Sequence, residues 1–183
     1  MKFRLQQGQP VQIVFSFEYS SFGSGVIPRL IDLGVNPKIL VSALTLSIAQ
    51  RLVRKLCPFC KKEKETTPEE IKTLKSIIDG MLAEGKKISN YDIKPDAPIK
   101  LFTTVGCEKC NMTGYKGRVG IFEAIKTDEA IGKIMPENPS EREIKKVAST
   151  QGILSMRQDG LVKMLSGITS IEEVESVVDL TEE

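Results

Sequence analysis

The chain has 183 residues, enough for one ordinary domain or for part of a larger one with a small appended module. With 40% hydrophobic and 27% charged residues it has the composition of a soluble globular protein, and its 26 basic and 24 acidic residues leave a net charge of only +2. Charge alone therefore points to no class of partner. The chain contains no histidine, which excludes the commonest general base and every mixed cysteine and histidine metal site.

The N-terminal part is predicted to contain a strand followed by helical structure. Residues 11–16, VQIVFS, are typical of a strand, and a helix is expected to begin near Pro28. A helix is also predicted in NPKILVSALTLSIAQRLVRKLC, because apolar side chains recur there every four residues: Leu40, Leu44, Ile48, Leu52 and Leu56. Pro58 disfavours helical geometry at Cys57, so the first cysteine pair should lie at a helix terminus.

The middle of the chain is predicted to hold a capped amphipathic helix. Thr67 can cap it, Pro68 suits its first position and Glu70 completes a capping box, with apolar residues at helical spacing up to Gly85. The stretches KLFTTVG and GIFEAI are typical of strands, and the chain that follows them is predicted to be helical.

Two further capping boxes are predicted in the helical C-terminal part, at Ser140 with Glu143 and at Ser170 with Glu173. The carboxylates of Asp159, Glu172 and Glu173 are assigned to helix surfaces, where capping and solvation are their expected roles.

Two CxxC clips use every cysteine in the chain. CPFC supplies Cys57 and Cys60, and CEKC supplies Cys107 and Cys110. Each clip can provide two corners of a tetrahedron around zinc, and two clips complete a site with no open position for a reactive water. The N-terminal apolar run is too short for a secretory signal or a membrane span. A cytoplasmic location is therefore expected, where a reducing environment keeps thiols free for metal.

A redox dithiol is the main alternative for either clip taken alone. A thioredoxin-like site would place its CxxC after a strand and at the start of a helix. The predicted helix before Cys57 and the lysine-rich, acidic stretch after Cys60 do not fit that arrangement. Structural zinc is the preferred interpretation of the four cysteines.

Three segments together resemble a known family. In order, PRLIDLGVNPKILVSALTLSIAQRLVRKLCPFC, GCEKCNMTGYKGRVGIFEAI and SMRQDGLVKMLSGITSIEEV are similar to the C-terminal part of the type II secretion and type IV pilus assembly ATPases. The resemblance covers about residues 24–178. It implies an α+β, mainly helical fold: the C-terminal remnant of a RecA-like P-loop ATPase domain, with an inserted tetracysteine zinc subdomain and a C-terminal helical bundle.

The resemblance also implies a division of the chain and a set of functional residues. Residues 1–56 would be a partial ATPase-core segment, 57–118 the zinc subdomain and 119–183 the C-terminal helical subdomain. Zinc would be bound by Cys57, Cys60, Cys107 and Cys110, and the QRLVR segment would place Gln50, Arg51 and Arg54 near nucleotide. Implied partners are neighbouring subunits of a hexamer and an inner-membrane platform protein, with ATP and Mg²⁺ bound only by the full-length parent.

The chain departs from the family where nucleotide chemistry is concerned. It has no GxxxxGK[ST] loop to hold phosphates and no acidic Walker B segment, and Tyr19 stands where the family usually has a histidine. We therefore do not expect this polypeptide alone to hydrolyse ATP. Arg118 is expected to pair with a local acid in preference to a partner subunit.

Two functions from other classes compete with this assignment. A zinc-ribbon module that binds nucleic acid would use the basic stretches RLVRK and KKEK, but acidic residues interleave with them and stacking aromatics are few. An independent enzyme would need a nucleophile paired with a base, and the sequence offers no such pair. Within the leading assignment, the zinc could also be a staple with no role in partner contacts.

Overall fold

A long antiparallel ribbon is the frame on which both cysteine clips are mounted. In this computed structural model, which describes residues 23–86 and 98–181, strand β1 (Leu46–Leu56) pairs with strand β4 (Tyr115–Lys126). The register runs from Leu46 opposite Lys126 to Leu56 opposite Tyr115. Because the strands are antiparallel, the end of β1 and the start of β4 meet, and both clips lie at that end of the ribbon.

The helix predicted through Leu56 is wrong beyond its first turns. Helix α2 spans only Pro37–Ala43, and the chain then extends into β1, in which Ser47, Ala49 and Val53 are buried. A repeat of four residues keeps side chains on one face of a helix, but it also keeps them on one face of a strand, whose period is two. Pairing with β4 decides between the two structures, so the first clip follows a strand and not a helix.

The segment between the clips forms a short sheet and one long helix. Strand β2 (Lys61–Lys64) pairs antiparallel with β3 (Leu101–Thr104), and helix α3 spans Pro68–Ala83. The predicted start of α3 is confirmed, because Thr67 accepts from the N–H of Glu70 and the Glu70 carboxylate accepts from the N–H of Thr67. The strand predicted in KLFTTVG is confirmed as β3.

One core packs the ribbon against helices from both sides of the second clip. It contains α3, α6 (Met156–Leu165) and α7 (Ile171–Glu175), together with β3 and the middle of the ribbon. Its fully buried side chains come from sequence positions far apart: Leu74, Met81, Ile121, Leu161, Met164 and Val174. The strands that flank the clips, β1, β3 and β4, therefore contribute side chains to the main hydrophobic core.

A second core lies at the opposite end of the ribbon. Helices α1 (Val26–Asp32) and α2 pack there against α4 (Glu129–Ile134) and α5 (Glu141–Ala148), around the buried part of β4. Its buried members are Ile27, Leu30, Leu40, Ile125, Ile131, Met135 and Ile144. This core contains no residue of either clip.

The two capping boxes predicted in the C-terminal part have different outcomes. At α5, Ser140 and Glu143 exchange both hydrogen bonds, as predicted. At α7, Ser170 accepts from the N–H of Glu173, but the Glu173 carboxylate binds Arg54 and does not return to Ser170. Glu173 is buried, so its assignment to a solvated helix surface is wrong.

The mixture of helices and small sheets confirms the α+β class. Of the two boundaries in the sequence-based division of the chain, the one after residue 56 coincides with the end of β1, and the one after residue 118 falls within β4. The strand predicted at residues 11–16, and Tyr19, lie outside the described residues.

Candidate metal centre

The four cysteine sulfurs converge on one point between the two clips. The distances are 3.9 Å from Cys57 Sγ to Cys107 Sγ, 3.9 Å from Cys60 Sγ to Cys110 Sγ, and 3.7 Å from Cys107 Sγ to Cys110 Sγ. All four sulfurs lie within 4.8 Å of one another, and none is in a disulfide. A tetrahedral ion with sulfur ligands at about 2.3 Å sets sulfurs about 3.8 Å apart. The four residues therefore fit a tetrahedral metal ion.

Each clip is a tight turn held by its own backbone. In the first, the N–H groups of Cys60 and Lys61 donate to the carbonyl of Cys57 at 3.3 and 3.0 Å. In the second, the N–H groups of Cys110 and Met112 donate to the carbonyl of Cys107 at 3.1 and 2.9 Å. Both turns thus place the two sulfurs of a CxxC on the same side.

Two glycines allow the second clip to close. Gly106 has φ +83°, and a Cβ atom there would lie 2.6 Å from the carbonyl oxygen of Met112. Gly114 has φ +78°, and a Cβ atom there would lie 2.4 Å from Thr104 Cγ2. The Gly114 carbonyl also accepts from the Cys57 N–H at 2.9 Å, which ties the second clip to the first.

Hydrogen bonds to its sulfur favour the ionised form of Cys110. Burial opposes ionisation of Cys110, but the N–H groups of Cys107 and Gly114, each 3.2 Å from its sulfur, prevail and lower the pKa of Cys110 to about 6. Burial and the neighbouring thiols raise the pKa of Cys107 to about 11. A bound cation would favour the thiolate form at all four positions, which is the form that ligates metal.

A threonine hydroxyl supports the first clip. Thr104 Oγ1 lies 3.0 Å from Cys60 Sγ, and the Val105 N–H donates to the Cys60 carbonyl at 3.4 Å. Thr104 belongs to β3, so the β2–β3 sheet and the metal site share contacts. The sequence-based prediction named the four cysteines that converge here but not Thr104 or Gly106, which a CxxC pattern does not specify.

The structure separates the three residues predicted to lie near nucleotide. Gln50 and Arg54 lie on the exposed face of β1, opposite Phe122 and Arg118, whereas Arg51 is partly buried. Only Arg54 lies beside the metal-site end of the ribbon. Its guanidinium stacks on the Tyr115 ring at 4.2 Å from the centroid.

Arg54 is also held by the C-terminal part of the chain. Its backbone N–H donates to Glu173 Oε2 at 2.9 Å, its guanidinium donates to Glu173 Oε1 at 2.5 Å, and its carbonyl accepts from the Thr169 hydroxyl at 2.8 Å. Two residues further along β1, the Leu56 N–H donates to the Ile168 carbonyl at 2.9 Å. These contacts fix the strand that leads into Cys57.

The Glu173→Gln variant is expected to lose about 1 kcal/mol of stability at pH 7, since the Arg54 guanidinium is exposed and screened. The hydrogen bond from that guanidinium lowers the pKa of Glu173, burial opposes it, and the Arg54 N–H adds to the lowering. The stabilisation is therefore present above the unfolded pKa of about 4.3 and is lost as pH falls through the folded pKa.

Urea unfolding of both proteins at several pH values tests this. The stability difference should shrink from pH 7 towards pH 3. Glu129→Gln is the matched control, because Glu129 also pairs with a cation, Lys133, but is 85% exposed. A difference that is constant with pH, or equal in the two variants, would contradict the assignment.

Two further predictions from the sequence concern Arg118 and the basic stretches. Within the described ranges Arg118 forms no ion pair, and it lies opposite Arg54 in the ladder, so the predicted local acid is not found there. The basic stretches considered for nucleic acid are partly neutralised, since Lys64 pairs with Glu70 and Glu172.

In the described part of the chain no helix is long and apolar enough to span a bilayer.

Comparison with known proteins agrees with the resemblance read from the three segments. Residues 20–176 match the model of the family described as Type II/IV secretion system protein. The Type IV pilus assembly ATPase PilB of Pseudomonas aeruginosa is 36% identical over 173 residues, which cover 94% of this chain and 28% of that protein. The Type II secretion system ATPase E of Vibrio cholerae is 36% identical over 163 residues, covering 88% and 29%.

The chain thus spans less than a third of the length of these curated relatives. The match nevertheless includes both clips, the whole β1–β4 ribbon and the helices of both cores. Because the family model covers most of its residues, the chain belongs to the Type II/IV secretion system protein family.

Proposed function

We propose that the chain is the zinc-stapled C-terminal portion of the hexameric ATPase that powers type II secretion or type IV pilus assembly. The observation that carries the proposal is a four-sulfur site of tetrahedral dimensions in a chain matched by this family over residues 20–176. The pilus and secretion ATPases that resemble it are three or more times longer, by the fractions of them that it covers. The motor's activity would belong to the longer protein.

The proposed metal is zinc, and its proposed role is structural. Four thiolates satisfy a tetrahedral Zn²⁺ completely and leave no position for a substrate or a reactive water. Cys57, Cys60, Cys107 and Cys110 would hold the ion, which would fix the start of β2 against the end of β3. Its position beside the main core lets the ion stabilise contacts between the clips and the C-terminal helices.

Nucleotide chemistry would come from other parts of the longer protein. The 183 residues contain no phosphate-binding loop of the GxxxxGK[ST] kind, so ATP and Mg²⁺ would be bound by the parent. Gln50, Arg51 and Arg54 are proposed to lie near that nucleotide. Arg54 would then transmit the state of the nucleotide site to the C-terminal helices, because Glu173 on α7 holds its guanidinium.

The proposed partners are neighbouring subunits and an inner-membrane platform protein, and the proposed location is the cytoplasm. We assign residues 1–56 to a partial ATPase core, 57–118 to the zinc subdomain and 119–183 to the helical subdomain. The continuity of β1 with the first clip, and the hydrogen bond from the Cys57 N–H to the Gly114 carbonyl, support a mechanical role, since a movement of the ribbon would carry the clips with it.

A genetic experiment tests the proposed function. Removing the coding sequence of this chain from the organism that encodes it should abolish either pilus assembly or export of secreted proteins, and the affected process would identify the system. A matched strain carries Lys133→Ala, whose side chain is 72% exposed and far from the clips, and should behave as wild type. Unchanged pili and unchanged secretion in the deletion strain would contradict the proposal.

A further inference from the structure

The turns of the two clips and the start of β4 place an aromatic ring and two amines on one exposed surface. Phe59, at the turn of the first clip, is 59% exposed. Lys109 Nζ, from the second clip, lies 3.8 Å from the centre of its ring, and Lys116 Nζ lies 5.9 Å away. We call Phe59, Lys109 and Lys116 the knuckle surface. Neither lysine forms an ion pair with the residues that the structure describes.

A further apolar side chain, two residues after the second clip, is also exposed to solvent. Met112 is 67% exposed and has φ +62°, a conformation that bulky residues rarely adopt. The bond from its N–H to the Cys107 carbonyl holds it there. A Phe side chain on a hydrogen-bonded turn loses little freedom on contact, and a flexible Met side chain can adapt its shape to a partner, so both suit a binding surface.

We propose that the knuckle surface is a docking site for an acidic peptide segment of a partner protein, with an apolar side chain between its carboxylates. The apolar side chain would pack on Phe59 and Met112 while carboxylates pair with Lys109 and Lys116. This inference rests on the proposed zinc site, which holds the two clip tips together.

The knuckle surface adjoins an acidic side chain, which favours a peptide partner over nucleic acid or an anionic membrane. Glu108 is exposed and adjoins Lys109 in the turn of the second clip. A phosphate backbone or an anionic lipid surface would place negative charge against Glu108 as well as against the lysines, whereas a peptide can place its two carboxylates on the lysines and a backbone N–H on Glu108. The single exposed ring also differs from the series of stacking aromatics used for single-stranded nucleic acid.

Binding of a fluorescent peptide with a central leucine flanked by glutamates tests the proposal. The zinc-loaded chain should bind it, and its glutamine analogue should bind about ten-fold more weakly or not at all. Phe59→Ala should weaken binding about ten-fold, as expected for an aromatic anchor, and Lys109→Glu should do the same. Phe122→Ala is the matched control, because Phe122 is also exposed and also faces a lysine, Lys163, but lies away from the clips.

Zinc content is measured for every variant, which separates the two proposals. A chain without zinc would refute the proposed metal site itself. A zinc-loaded chain that binds no peptide, that binds an all-glutamate peptide equally well, or that binds only phosphatidylglycerol vesicles or duplex DNA would overturn the docking site alone. Equal loss of peptide binding in Phe59→Ala and Phe122→Ala would also overturn it.

Discussion

Replacing Cys110 with serine is expected to abolish zinc binding and to unfold the region around both clips. Structural zinc in small modules contributes on the order of 10 to 16 kcal/mol of apparent binding free energy, which is also folding free energy. Cys110 is buried, and a serine hydroxyl, which stays protonated near neutral pH, cannot supply the thiolate that a four-sulfur zinc site requires. A strong chelator acting on the wild-type chain should give the same result.

Amide hydrogen exchange locates the loss. Protection should fall in β2, β3 and the two clip turns, while the core formed by α1, α2, α4 and α5 keeps its protection, since it contains no clip residue. Helix α3 should be affected only indirectly, through its packing on β3. Protection that is equal with and without metal, or a loss spread uniformly over both cores, would contradict the proposed structural role.

Gly114→Ala is expected to destabilise the metal site by about 2 to 5 kcal/mol. A left-handed conformation costs an alanine about 1 to 2 kcal/mol, and overpacking costs typically about 1 to 3 kcal/mol more. The added Cβ would lie 2.4 Å from Thr104 Cγ2, and Thr104 must then move away from Cys60 Sγ. Competition with a chromophoric chelator should therefore show weaker zinc binding.

Gly117→Ala provides the matched control for this variant. Gly117 has the same φ of +78° and lies three residues further along, within β4, but a Cβ atom there meets nothing within 4 Å. It should lose only the backbone part of the stability and keep wild-type zinc affinity. Equal zinc affinities for the two variants would show that the contact with Thr104 does not matter.

Features encoded by local chemistry could be predicted from the sequence. Thr67, Pro68 and Glu70 define the start of α3 through hydrogen bonds between near neighbours, and the structure confirms each of them. The convergence of the four cysteines could be predicted because each clip fixes two sulfurs and the chain has no others to pair with them.

Features decided by distant contacts could not be predicted in the same way. The apolar repeat from Leu40 to Leu56 fits a helix and a strand face equally, and only the partner strand β4, remote in sequence, selects β1. Glu173 has the local signature of a capping residue, yet it binds Arg54, 119 positions away. Its burial follows from the packing of α7 on β1, which no short pattern specifies.

The most direct test of the account is the coordination of the metal in the purified chain. Elemental analysis should find one zinc per chain, and X-ray absorption at the zinc edge should find four sulfur neighbours at about 2.3 Å with no oxygen or nitrogen ligand. The Cys110→Ser protein should show neither. A wild-type chain that is free of metal yet equally well ordered at both clips, or whose clips are joined by disulfides, would contradict the account.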